Sequence, residues 1–139
     1  MATGTAGTVA RVHHTEQVHY LRKKITFSTE NTSITIGKLP AYASVIGGGV
    51  HVLTAFDDTG TDTLDVGFTD SSATADPNGY ATLLDLSAVG YIVLDELAAT
   101  TNIISTQDST VTCIYNGQNN NAAAGEAYVV ITYVVHYNT

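Results

Sequence analysis

The sequence predicts an all-β protein: an antiparallel β-sandwich or jelly-roll with one short helix and an extended N-terminal arm. Three observations lead there. About eight short runs either alternate polar and apolar residues or are continuously apolar, as strands with one or both faces covered do. Residues that favour turns (Gly, Asn, Asp, Thr) separate these runs. A single segment carries a helix start signal. The length of 139 residues fits one domain, with residues 1–16 as the arm and 17–139 as the sandwich.

Met1 to Glu16 show no period of 2 or 3.6, and Ala, Gly and Thr dominate the first eight positions. Such a segment cannot offset its own ordering entropy, so it is expected to be disordered or ordered by a neighbour. It has neither the basic start nor the apolar stretch of a secretory signal. From Val18 the pattern becomes β. Lys24-Ile25-Thr26-Phe27-Ser28 and Ser33-Ile34-Thr35-Ile36-Gly37 alternate around the polar spacer 29–32, which predicts a hairpin. Leu39-Pro40 ends the second run, because proline cannot donate a ladder hydrogen bond.

Ser44 to Phe56 forms the next strand region. Gly47-Gly48-Gly49 inside it predicts a bulge or a close backbone approach. A phosphate-binding loop would need a following helix and usually a Lys, and neither is present. After the turn at 57–61, Leu64, Val66 and Phe68 share one face, and this run is expected to pair with the one before it as a second hairpin. Asp76-Pro77 reads as a helix start, with Tyr80, Leu83, Leu84 and Leu86 as its apolar face. Tyr91-Ile92-Val93-Leu94 is a short strand, and Val111, Cys113 and Tyr115 alternate in another. In the last strand, Ala127 to Tyr137, residues 128–135 are apolar on both faces apart from Thr132. Such a strand is central in a covered sheet, or its outer face meets another chain.

Charge is scarce and polarised. Charged residues make up 13% of the chain, about half the ~25% of an average domain, which favours contact with partners. The net charge of −8 excludes nucleic-acid binding through the body of the protein. All five Lys and Arg residues (Arg11, Arg22, Lys23, Lys24, Lys38) precede residue 39. Two acids lie among them, which leaves that part at +3 and the remaining eleven acids at −11. The front of the chain is thus expected to touch something acidic. No apolar run is long enough to span a membrane.

No residues assemble a recognisable catalytic motif. His13, His14 and His19 lie in or beside the arm, with Glu16 as the one nearby carboxylate, short of a zinc site. Asp57, Asp58, Asp62, Asp65 and Asp70 lack the EF-hand pattern; a calcium site between loops is the alternative to solvated acids. Cys113 alternates with core residues and reads as a buried thiol. Gly-x-Ser-x-Gly does not occur. Asp95 and Glu96, adjacent in an extended chain, would point to opposite faces. Asn31-Thr32-Ser33 matches a glycosylation sequon by pattern alone. The expectation is a protein that is not an enzyme and carries no cofactor.

One ordered set of segments resembles a known family. Arg22-Lys23-Lys24-Ile25-Thr26-Phe27, Ile36-Gly37-Lys38-Leu39-Pro40, Val45-Ile46-Gly47-Gly48-Gly49-Val50 and Thr63-Leu64-Asp65-Val66-Gly67 are similar to segments of small virion structural proteins of tailed bacteriophages. The likeness continues through Ala75-Asp76-Pro77 to Leu86, Ser109-Thr110-Val111-Thr112 and Ala127-Tyr128-Val129-Val130-Ile131. It implies a β-rich decoration or cement protein, made in the host cytoplasm and placed on the virion's capsid exterior. Its implied partners are its own copies, as a trimer, and the major capsid protein, with no nucleic acid and no membrane. A tail or neck component is the alternative within that class. A lectin-like module of a host-recognition spike, stacking sugars on Tyr, is the alternative outside it. Contacts with the shell and between copies are expected from Arg11, Val12, His13, His14, Tyr20, Arg22, Lys23, Lys24, Tyr133, Val135 and Tyr137.

Overall fold

The structure, a computed structural model, describes residues 17–72, 74–98 and 106–136. They form eight strands: β1 (His19–Thr26), β2 (Ser33–Leu39), β3 (Ala43–Thr54), β4 (Asp62–Asp70), β5 (Ala75–Asp85), β6 (Gly90–Val93), β7 (Ser109–Gly117) and β8 (Glu126–Val135). Every pairing is antiparallel. Two four-stranded sheets result, sheet A in the order β1-β8-β3-β6 and sheet B in the order β2-β7-β4-β5. The first strand thus lies beside the last, the second beside the seventh, the third beside the sixth and the fourth beside the fifth. The chain behaves as one long ribbon, folded at the β4–β5 connection and wrapped on itself.

The inner faces meet in one apolar core, the physical reason for the sandwich, since each sheet has a single hydrophobic face to bury. Ile25, Val45, Val50, Val52, Ala127, Val129 and Ile131 come from sheet A. Leu64, Val66, Val111, Cys113 and Tyr115 come from sheet B, and Phe56 stands against Tyr115 with ring centroids 4.6 Å apart. The alternation read for β4 and β7 holds. β8 is central, between β1 and β3, with Ala127, Val129 and Ile131 fully buried.

Both expected hairpins are corrected. The run ending in β1 pairs with β8, and β2 pairs with β7, so the spacer between them crosses from one sheet to the other. That spacer includes a 3-10 turn at Phe27–Thr29. Its long-range backbone bonds run from Phe27 N–H to Gly125 and from Asn31 N–H to Tyr115 of β7, rather than across a local hairpin. The link from β3 to β4 crosses between sheets in the same way.

The helix expected at Asp76 is also corrected: these residues are strand β5. Leu83 has a positive φ of 53°, and the β4–β5 register shifts between Leu64 and Val66. A bulge there breaks the period of 2, so Ala81 and Leu84, three residues apart as on a helix, are both buried while Leu83 is exposed. Pro77 sits on an edge strand beside a second register shift, where a missing N–H costs little. Among the described residues the helical content is the 3-10 turn. The glycine run of β3 does form a bulge, with the register against β8 shifting between Val45 and Gly47. The arm, residues 1–16, lies outside the described residues, as does Tyr137.

Candidate interaction surface

The two outer faces differ in kind. The outer face of sheet B is dominated by Thr63, Asp65, Thr69, Thr110, Thr112 and Asn116, around Ile114. That is a solvent face. The outer face of sheet A is apolar, with cations along one side. Register places Tyr20, Arg22 and Lys24 of β1 opposite Thr132, Val130 and Tyr128 of β8. Those β8 residues lie opposite Gly47, Gly49 and His51 of β3. Beyond them, β6 brings Val93 opposite Gly49 and Tyr91 opposite His51. Tyr20 is 67% exposed, Tyr91 52% and Val93 60%, and Ile46 and Leu53 are exposed beside the two β3 register shifts. These exposed apolar side chains gather on one face instead of being scattered singly over the surface.

Aromatic contacts organise this face. The Arg22 guanidinium carbon lies 5.0 Å from the centre of the Tyr128 ring, within cation–π range. The His51 and Tyr91 rings lie 4.5 Å apart, and Tyr91 extends over Gly49, its ring atoms 2.6 Å from where a Cβ would stand. Lys24 Nζ is 3.2 Å from Glu126, so part of the positive strip is neutralised. Arg22 and Lys23 remain exposed on an edge strand. Charge there also prevents stray strands from pairing to the edge, a purely structural benefit.

The expected contact residues divide by face. Tyr20, Arg22 and Lys24 share the outer face of sheet A, while Lys23 has the inward parity and is exposed at the edge. Tyr133 and Val135 pack against the core, and the Tyr133 ring lies 5.5 Å from that of His19. Arg11, Val12, His13 and His14 lie outside the described residues. On the other half of the face, His51 reads from the sequence as a packing or interface residue, while Leu53, Tyr91 and Val93 escaped the sequence reading. A signal was present in Tyr91-Ile92-Val93-Leu94, apolar on both faces like β8.

The acidic loops serve the fold. Asp58 accepts N–H groups from Gly60, Asn119 and Asn121, and Asp57 accepts those of Ala123 and Ala124. Asp62 accepts the hydroxyl of buried Tyr115, and Asp65 accepts the Leu83 N–H at 2.7 Å. Burial pushes the Asp58 carboxyl up, but these N–H donors and the neighbouring Glu30 carboxyl outweigh it and hold Asp58 down at about 2. Glu30 is raised by burial and by Asp58. Asp70 and Asp85 are lowered, each first by a serine hydroxyl two residues on.

Asp58 therefore contributes stability that is complete above its ordinary value of 3.8 and lost as pH falls toward 2, and Asp70 and Asp85 act with the same sign. Glu30 acts oppositely: its contribution is present below 4.5 and lost as pH rises through its folded value. We expect the melting temperature to fall over the interval from 3.8 to about 2 and Asp58→Asn to flatten that slope. An unchanged slope in Asp58→Asn contradicts the assignment.

No group of three or more His, Cys, Asp or Glu side chains among the described residues could hold a metal ion. Cys113 is buried, and burial pushes its thiol up to about 12 against a weaker opposite pull from Lys23, which disfavours the thiolate a nucleophile needs. Two depressions of about 370 and 280 Å³ are lined by Thr, Ser, Asp, Gly and Lys38, without the apolar lining of a small-molecule site.

No family model and no curated protein sequence matches the chain. Solved structures do. A chain in the capsid of Ralstonia phage GP4 superposes with a TM-score of 0.65 at 21% identity, covering 88% of this chain and 86% of that one. One in the capsid asymmetric unit of cyanophage Pam1 gives 0.56 at 19% identity, covering 86% and 85%. One in the acid-stable capsid of Helicobacter pylori bacteriophage KHP30 gives 0.56 at 17% identity, covering 84% and 86%. The chain shares its two-sheet fold, over most of its length, with chains from the capsids of these three bacteriophages.

Proposed function

We propose that this chain is a structural protein of a tailed-bacteriophage virion: a head decoration or cement protein that binds the major capsid protein on the outer capsid surface and stabilises the shell. It acts as a homo-oligomer, a trimer in the resemblance drawn above. The pairing of first strand with last and second with seventh supports reading the sandwich as an eight-stranded jelly-roll, an architecture used by viral capsid domains. The observation that carries the proposal is the two-faced sandwich, apolar and cationic on sheet A, Thr- and Asp-rich on sheet B. Such a module needs one adhesive side and one wet side, and no reaction centre. The fold shared with chains of three phage capsids supports the same role. An acidic body suits the outside of a shell better than contact with packaged DNA. Several weak contacts from one oligomer then add up.

The test is occupancy on shells that lack the protein. Purified chain is expected to saturate them in many copies spread over the head, whereas a neck or tail part would bind at one vertex. Deleting residues 1–16 is expected to leave a folded domain that binds shells poorly. Full occupancy by the deletion variant would remove the arm from the contact.

A further inference from the structure

We propose that the β3–β6 half of the outer face of sheet A, built from Ile46, Gly47, His51, Leu53, Tyr91 and Val93, is the surface on which a second copy of this chain docks. The proposal rests on the oligomeric part of the function above and is independent of which shell the protein binds. Charge selects the occupant. Two copies of a chain with net charge −8 repel unless they meet where neither presents an acid. Sheet B carries Asp65 on its outer face, its β5 edge carries Asp76 and Asp85, and the loops carry Asp57, Asp58, Asp95 and Asp108. The β1 half of sheet A carries Arg22 and Lys24. The six residues named include no acid and no Lys or Arg, and Glu126 on the same outer face is paired with Lys24, so a second copy can face them without like-charge opposition. An acidic shell, by contrast, gains more from the β1 cations than from this neutral half.

Shape agrees with charge. Ile46, Leu53, Tyr91 and Val93 each leave about half or more of their surface in water. Tyr91 closes over Gly49 opposite Val93, whereas farther along β3 a Cβ placed on Gly47 would meet nothing within 4 Å. That opening can take an apolar side chain from a partner, the central anchor around which an interface is built. The surface is small, so the free oligomer should dissociate on dilution.

Sedimentation of the full chain over a dilution series tests this. The wild type is expected to associate. Leu53→Glu with Val93→Glu is expected to weaken association at least ~30-fold, the effect of losing one central anchor. Thr63→Glu with Thr112→Glu places the same charge on sheet B and is expected to leave association unchanged. A Cβ at Gly47 meets no atom within 4 Å, so Gly47→Leu should keep the wild-type circular dichroism yet weaken association, and it decides the matter if the glutamate pair disturbs folding. A monomeric wild type overturns the proposal, as does equal dissociation by the sheet B pair. It is also overturned if the sheet A pair keeps its mass but no longer binds shells, for that face would then belong to the shell. A wild type that associates but fails to bind shells defeats the capsid role alone.

Discussion

Gly48→Ala is expected to destabilise the fold by about 4 kcal/mol, a large share of the ~5–15 kcal/mol that holds a domain together. Gly48 has φ of +128°, a conformation side chains rarely adopt, and strain of this kind costs about 1–3 kcal/mol. Steric conflict adds to it. A Cβ at Gly48 would stand 2.2 Å from the Val130 carbonyl oxygen and 3.1 Å from the Ile131 Cα, both backbone atoms of the central strand β8. A flexible side chain could turn away, but a strand paired on both sides cannot. Thermal unfolding should show a drop of more than ~10 °C, since 1 kcal/mol moves the midpoint of a domain this size by several degrees. A shift of a degree or two would mean that the β3 bulge relaxes freely.

Charge reversal at Arg22 and Lys23 is expected to lower apparent affinity for shells by about a thousandfold while leaving the fold intact. Both side chains are exposed on an edge strand, where substitutions usually change stability little. Each reversed site faces repulsion where it had attraction, which slows encounter and speeds release. If one oligomer binds through three equivalent contacts, a tenfold loss at each multiplies to that figure. Wild-type binding should weaken as salt rises, because exposed charges are screened within about 8–10 Å. Salt-independent binding, or a reversed variant that decorates shells normally, would shift the adhesive role to the apolar half of the sheet.

The two predictions probe different layers of the same sheet. Gly48 governs whether β3 can lie against β8. Arg22 and Lys23 govern what the finished sheet attracts. The acidic loop at 57–61 belongs to the first layer, because its carboxylates accept backbone N–H groups, chiefly from the loop at 118–125.

By itself the sequence determined the all-β class, the alternation of β4 and β7, an irregularity at the glycine run of β3, and the two-sided apolarity of β8, which left a central strand and a partner-facing one as alternatives. These are local patterns, written in the period of 2 that a strand imposes on any chain burying one face. It also placed the cations at the front of the chain, of which Arg22, Lys23 and Lys24 fall on β1 and Lys38 on β2. The tertiary structure alone decided which strands are neighbours. The two runs expected to close as the first hairpin separate into different sheets, because the segment between them bonds to Gly125 and Tyr115, far along the chain. The bulge at Leu83 gave β5 the spacing of a helix, an ambiguity that only its pairing with β4 resolves. Most of the interaction face was illegible for the same reason. Tyr20 and Val93 share one surface because β8 and β3 stand between them, and pairing over such distances follows from the packing of the whole core rather than from any local pattern.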